Sequence, residues 1–338
     1  MHLNTRLPSG RCVINLISEI TSMIKILAND GIDPIGKELL EKAGFQVDTE
    51  TIPQDQLAEA LKSYDAITVR SATKVRKELI DAVPNIKLIG RGGVGMDNID
   101  VEYARNQGVA VVNTPAASSL SVAELVFAHL FTGIRFLQDA NRKMPVEGAT
   151  QFNNLKKAYA KGTELSGKTI GIIGFGRIGR ATAKVALGLG MKVLAYDLYP
   201  SESEITLEFQ GGQSVSIPIK TVSLDEVIAG SDFLSLHTPF ADKPILGAEE
   251  FAKMKNGVGL VNCSRGGTID EPALIEALDS GKLAFAGLDV FDNEPTPLAA
   301  ILTHPKISLT PHIGASTNEA QERIGTELAT LIIEHFKK

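Results

Sequence analysis

Two successive series of short apolar runs, each run separated from the next by a helix-length amphipathic stretch, constrain this chain more than any other feature. In the first series the strand-length runs are residues 24–28, 45–47, 66–70, 88–90 and 109–112, with helical patterns at 35–43 and 57–61, the former closed by Gly44. In the second they are residues 169–173, 192–196, 232–236, 257–262, 283–288 and 307–310. Strand, helix and strand in repetition is the pattern of a parallel sheet covered by helices, because each crossover must carry the chain back to the same end of the sheet. Two series predict two doubly wound α/β units, and 338 residues is a length that two domains of ordinary size share. Six strands in the second series is the count of a complete dinucleotide-binding sheet.

Other segments connect or interrupt the series. A helical pattern over 120–140 follows the turn Asn113-Thr114-Pro115 and bridges into the second unit; a last helix over 316–335 lies beyond the sixth strand and is placed to return to the first unit. Residues 205–219 alternate polar and apolar around Gly211-Gly212, which predicts an inserted β-hairpin without assignable chemistry. Residues 1–22 read as an extension outside the fold, since a second Met at position 23 stands just before the first strand pattern.

Charge and composition narrow the partners. Lys plus Arg number 34 against 40 Asp plus Glu, a net charge of −6 without a long basic run, which argues against nucleic acid or an anionic membrane as partner. No stretch nears the roughly 18 uninterrupted apolar residues of a membrane span. Only Cys12 and Cys263 are present, so no disulfide framework is expected and a reducing cytoplasm is the natural compartment.

The strongest local motif is Gly174-Phe175-Gly176-Arg177-Ile178-Gly179, set between the apolar strand 169–173 and a helical pattern. A glycine triplet alone is weak; in this context the first glycine makes the tight turn, the second lets backbone approach a pyrophosphate, and the third lets helix pack on strand. The phosphates would rest on the helix N-terminus. Asp197, at the end of the next strand, is placed to accept from the adenosine ribose hydroxyls, and Leu198-Tyr199-Pro200 supply no arginine for a 2′-phosphate. NAD is therefore expected over NADP. No metal is expected.

Three ionisable residues stand in glycine- or proline-marked loops after late strands: Arg265 in Ser264-Arg265-Gly266-Gly267, Glu294 in Asn293-Glu294-Pro295, and His312 in Pro311-His312-Ile313-Gly314. Ligands of open α/β sheets collect at the carboxyl ends of strands, so all three are candidates to face one crevice. Taken with Arg91-Gly92-Gly93-Val94-Gly95-Met96-Asp97-Asn98-Ile99-Asp100, these segments resemble the D-isomer-specific 2-hydroxyacid dehydrogenases. Val69-Arg70-Ser71-Ala72-Thr73-Lys74-Val75 and Asn113-Thr114-Pro115 are most similar to the branch of that family that acts on 3-phospho-D-glycerate.

The resemblance implies a flavodoxin-like substrate unit (residues 23–117 and 314–338) with a Rossmann-type NAD-binding unit (118–313) inserted into it. It implies that His312 is the acid–base group, that Glu294 orients its ring, and that Arg265 holds the substrate carboxylate, a geometry guanidinium matches well. Gly93, Val94 and Gly95 would add backbone N–H donors. Arg177, Ile178, Thr238 and Asp289 match further cofactor positions, and His237 reads as a structural turn residue. Arg70 and Lys74, with Lys157 as a further basic position, would meet a substrate phosphate. The expected reaction is NAD-dependent oxidation of 3-phospho-D-glycerate to 3-phosphohydroxypyruvate. Family alternatives are a glyoxylate or hydroxypyruvate reductase or a D-lactate dehydrogenase, and a non-catalytic NAD(H)-sensing corepressor-like protein is the alternative of another class. A homodimer is expected through the 120–140 helix, whose apolar residues exceed one stripe. The sequence departs from the family where Val94 replaces a threonine found in some relatives and where Ala116-Ala117 stand for a frequent Asn-Gly. Only 26 residues follow His312, so no regulatory domain, and no serine feedback through one, is expected.

Overall fold

The computed structural model describes residues 23–240 and 242–337; the extension expected over 1–22 lies outside them. Strands β1 (Lys25–Ala28), β2 (Gln46–Asp48), β3 (Ala66–Val69), β4 (Leu88–Arg91) and β5 (Ala110–Asn113) form a five-stranded sheet in the order β2-β1-β3-β4-β5. Every pair is parallel. The order is that of the flavodoxin-like doubly wound fold. All four residues of β3 are buried, as expected for a strand covered by helices on both faces.

The second sheet contains β6 (Thr169–Ile173), β7 (Lys192–Tyr196), β10 (Phe233–Leu236), β11 (Val258–Asn262), β12 (Leu283–Leu288) and β13 (Ile307–Leu309), in the order β13-β12-β11-β10-β6-β7. The expected hairpin is present as antiparallel β8 (Glu202–Glu208) and β9 (Ser214–Lys220). Immediately after it Thr221 makes a single parallel bridge to Ala195 of β7. That bridge stands where the third strand of the usual 3-2-1-4-5-6 order would run. Winding reverses between β6 and β10, and a crevice at such a switch point is where dinucleotides bind.

One helix expectation needs correction. The pattern over 120–140 is not one helix but two, a hinge helix (Ser119–Ile134) and an arm helix (Leu137–Ala158), bent by 55°. Phe136 at the break takes a left-handed φ of 56° and stacks on Tyr159 with ring centroids 5.9 Å apart. One apolar face of the hinge helix is core, where Val126, Phe127, Leu130 and Ile134 pack with Ile170, Ile172 and Phe285 of the second sheet, while Leu120 and Phe131 stay exposed. Among the described residues no single helix is long and apolar enough to cross a membrane.

The C-terminal helix (Asn318–Phe336) is capped by Thr317, whose hydroxyl accepts from Ala320 N at 3.1 Å. It packs on the first sheet through Leu328, Ala329 and Ile332 against Ile26, Ala28 and Leu88. Close approach to the helix Pro34–Lys42 requires glycine on both sides, since a Cβ on Gly36 would lie 2.6 Å from the Gly325 carbonyl oxygen.

Candidate active site

Two of the three glycines in the loop meet steric demands of the protein itself. Gly174 has φ 95°, and a Cβ there would lie 2.6 Å from the His237 carbonyl oxygen; a Cβ on Gly179 would lie 2.1 Å from the Gly174 carbonyl oxygen. At Gly176 a Cβ would meet nothing within 4 Å, so no protein atom requires glycine there. Gly176 is the N-cap of the helix Arg177–Gly188 and supplies no side-chain cap, which leaves that helix start bare, with Arg177 exposed beside it and Ile178 half-buried.

Facing this loop, the Thr238 hydroxyl and His237 Nδ1 are buried without a hydrogen-bond partner. Buried orphans of this kind call for a partner from outside the chain. A bare helix N-terminus, an open glycine and an unpaired hydroxyl at the switch point fit a dinucleotide. His237 itself is structural: its Nε2 bonds Ser235 Oγ at 2.9 Å and Thr182 Oγ1 at 3.1 Å, and burial pushes its pKa down to about 3. Asp197 is at the end of β7, where Oδ2 accepts from Phe175 N at 2.7 Å and Oδ1 from Tyr199 N at 3.0 Å. It therefore shapes the loop, with lone pairs left over for a ribose.

Arg265, Glu294 and His312 follow β11, β12 and β13. His312 stands at φ 55°, and its Nδ1 is 2.8 Å from Glu294 Oε2. An ionised carboxylate only accepts, so Nδ1 carries the proton and Nε2 keeps a free lone pair. Glu294 is held in turn by Phe291 N, which donates to Oε1 at 3.0 Å. The Arg265 loop is fastened to the Glu294 loop by Gly267 N, which donates to Asp292 Oδ1 at 2.6 Å. Asp289 differs from a simple surface carboxylate: it is 1% exposed and accepts from Thr310 Oγ1, Ile313 N and Gly314 N at 2.6, 2.8 and 2.8 Å.

The glycine loop after β4 meets Arg265 from the other side. Arg265 Nε donates to Asp97 Oδ2 at 2.9 Å, and its Nη2 lies 1.6 Å from where a Cβ on Gly95 would be. At Gly93, with φ 142°, the same space is taken by Arg91 Nη1, also 1.6 Å from the Cβ position. Two guanidinium groups thus occupy the room that these glycines leave. Among the described residues the N–H groups of Val94 and Gly95 have no protein acceptor, while the Val94 carbonyl accepts from Asn113 Nδ2 at 2.7 Å.

The sequence pattern assigns Arg91 and Asp97 no individual role, although both lie in the glycine-rich segment 91–100. Arg91 donates to the Gly92 carbonyl at 2.6 Å and its Nε is buried without a partner. Burial first, and then the Arg265 charge, lower its pKa to about 10, with Asp97 opposing and Arg70 and Asp30 contributing smaller effects. Arg70 thus belongs to the group of charges around Arg91. Lys74 and Lys157 are not among those charges: Lys74 is exposed with its backbone bound to Gln54, and Lys157 is exposed on the last turn of the arm helix.

A twice-wound pair of parallel sheets, a bare glycine loop and an imidazole–carboxylate pair on loops adjoining that of Arg265 fit a nicotinamide-dependent oxidoreductase class. A family model for the NAD-binding domain of the D-isomer specific 2-hydroxyacid dehydrogenases matches residues 127–314. The chain is 44% identical to a hydroxypyruvate reductase of Thermotoga maritima over 90% of its own length and 96% of that protein's. It is 40% identical to a D-3-phosphoglycerate dehydrogenase of Methanocaldococcus jannaschii over 94% of its own length, but spans only 57% of that relative. Among solved structures, a glyoxylate reductase of Paecilomyes thermophila superposes with a TM-score of 0.77 at 30% identity, covering 94% of this chain and 96% of that one. The chain belongs to the D-isomer-specific 2-hydroxyacid dehydrogenase family, and its second unit is an NAD-binding domain. Within the family, these relatives do not single out the phosphoglycerate branch expected from Val69 to Val75 and Asn113-Thr114-Pro115.

Proposed function

We propose that this protein interconverts small D-2-hydroxy acids and their 2-oxo acids with NAD(H), and that hydroxypyruvate reduction is its reaction of preference. The observation that carries the chemistry is the His312–Glu294 pair, with the Nε2 lone pair free, on loops adjoining Arg265. In oxidation His312 Nε2 takes the hydroxyl proton; in reduction it returns that proton to the substrate oxygen. Glu294 fixes the ring and balances the charge the ring gains. Nicotinamide, when bound, accepts or supplies the hydride. Arg265 spends Nε on Asp97 and one Nη1 donor on the Ser264 carbonyl at 2.6 Å, leaving Nη2 for the substrate carboxylate, which the Val94 and Gly95 N–H groups also reach for. Asp289 would add an acceptor near the nicotinamide amide.

The unphosphorylated substrate is supported by the full-length likeness to a hydroxypyruvate reductase. A second reading, 3-phospho-D-glycerate, is favoured by Arg70 and Arg91, for neither of which a carboxylate closes a salt bridge among the described residues. NADH-driven rates on hydroxypyruvate, glyoxylate, pyruvate and 3-phosphohydroxypyruvate, with NADPH as control, decide between them. The highest kcat/KM on hydroxypyruvate is expected. A preference for the phosphorylated acid selects the second reading, and absence of turnover with NADH binding intact returns the protein to the NAD(H)-sensing class.

The same proposal includes a homodimer, through a surface that begins in the expected 120–140 segment and extends along the arm helix. The hinge helix buries Val126, Phe127, Leu130 and Ile134 but exposes Leu120 and Phe131, and Leu137, Met144, Val146 and Phe152 of the arm helix are exposed as well, an apolar surface suited to a second copy. A reducing compartment is proposed on the two cysteines, of which Cys263 is free and buried.

A further inference from the structure

Behind the loop that carries His312 runs a largely buried chain of polar groups of which the chemistry above uses only Asp289. His129 of the hinge helix is 2% exposed. Its Nδ1 lies 2.9 Å from Ser308 Oγ and its Nε2 lies 3.1 Å from Thr310 Oγ1. Thr310 gives its one hydroxyl proton to Asp289 Oδ1 at 2.6 Å, so toward His129 it can only accept. Nε2 must therefore carry the proton, and Nδ1 receives the hydroxyl of Ser308. Burial, which lowers the pKa of His129, keeps the ring in this neutral form.

The chain continues to both sides of His312. Asp289 takes the N–H groups of Ile313 and Gly314, the two residues after it, and Thr310 precedes it by two. The Gly314 carbonyl accepts from Ser121 Oγ at 2.6 Å, and Ser121 lies on the same hinge helix as His129. A Cβ on Gly287 would lie 2.5 Å from His129 Cβ, so β12 leaves this histidine no room to retreat. A non-glycine residue at φ 55° persists only where its surroundings over-determine it.

We propose that His129 is a positioning residue, which through Thr310 and Asp289 locks the His312 loop to the hinge helix and so aims the imidazole. The proposal rests on His312 being the acid–base group.

The test compares His129→Phe, which removes both hydrogen bonds, with His129→Gln, whose amide can still donate to Thr310. Expected for His129→Phe is a fall in kcat of about tenfold or more, since small misplacements far from the chemistry are costly. NADH affinity by cofactor fluorescence should stay within about twofold, and amide exchange at Ile313 and Gly314 should accelerate. His129→Gln should recover most of kcat and slow the exchange again. If His129→Phe fails to fold, Thr310→Val against Thr310→Ser repeats the comparison, because serine keeps the hydroxyl. A His129→Phe kcat within twofold of the parent, a Gln variant as impaired as Phe, or a Ser variant as impaired as Val overturns the proposal. Unchanged exchange at Ile313 and Gly314 does so as well. Turnover that survives His312→Ala refutes instead the acid–base reading on which the proposal stands, whatever the exchange rates are.

Discussion

Arg265 shows how little a residue's charge says about its work. Its pair with Asp97 is half in solvent, with side-chain exposures of 26% and 57%, so its direct worth is small. What Asp97 contributes is aim, because a bonded Nε turns the fork toward the site. Asp97→Asn is therefore expected to raise substrate KM by no more than about fivefold while kcat holds. Arg265→Lys keeps the charge but loses the fork, and should lower kcat/KM by about a hundredfold. Steady-state kinetics with saturating NADH checks both; a near-parental kcat/KM for Arg265→Lys would mean that charge alone matters. That the loops of Arg265, Glu294 and His312 adjoin was legible in the sequence because each is a turn-marked loop after a late strand. Arg91 and Asp97 were not, because a glycine does not reveal whose side chain fills its empty Cβ space. Here the occupant above Gly95 comes from Arg265, far along the chain.

Among the elements, the cofactor loop separates two reasons for glycine that look alike in the sequence. Gly179→Ala drives a methyl into the Gly174 carbonyl at 2.1 Å, and overpacking of this kind costs about 1–3 kcal/mol. Gly176→Ala meets no protein atom, so its fold should hold. Thermal melts are expected to show a lowered Tm for the first variant and a parental Tm for the second. Fluorescence titration is expected to show NADH binding weakened in the second; unchanged binding would mean that no dinucleotide approaches this backbone. The parallel strands were readable because buried strands are near-continuous apolar runs. β6 and β12 begin and end where the pattern places them. The break at Phe136 was not readable, since apolar periodicity runs through it and the left-handed turn depends on a stack with Tyr159. Nor was the lost third strand, because one bridge at Thr221 leaves no periodicity to detect.

At the scale of the whole molecule, the half-buried His237, with its Nδ1 shielded from solvent, makes stability depend on pH. Its pKa is about 3 in the folded chain, and unfolding returns it toward 6.5. Between those values the unfolded chain binds a proton that the folded chain refuses, so stability falls as pH falls, by about 1.4 kcal/mol per pH unit from this group. His129, lowered by burial, acts in the same direction. Glu271 and Glu327, raised by burial, act oppositely: the folded chain binds their protons first. Asp65 and Asp232, lowered by their lysine partners and backbone donors against burial, matter only below the ordinary carboxylate range. The difference between the parent and His237→Gln, whose amide can still bond Ser235 and Thr182, cancels every contribution but that of His237. Urea unfolding of the free protein at pH 6.5 and pH 5 should show the parent losing about 2 kcal/mol more than the variant. Equal losses would mean that the imidazole is protonated in the folded chain. Its ring would then be open to water, and its Nδ1 would not be the shielded, unpaired group that faces the glycine loop.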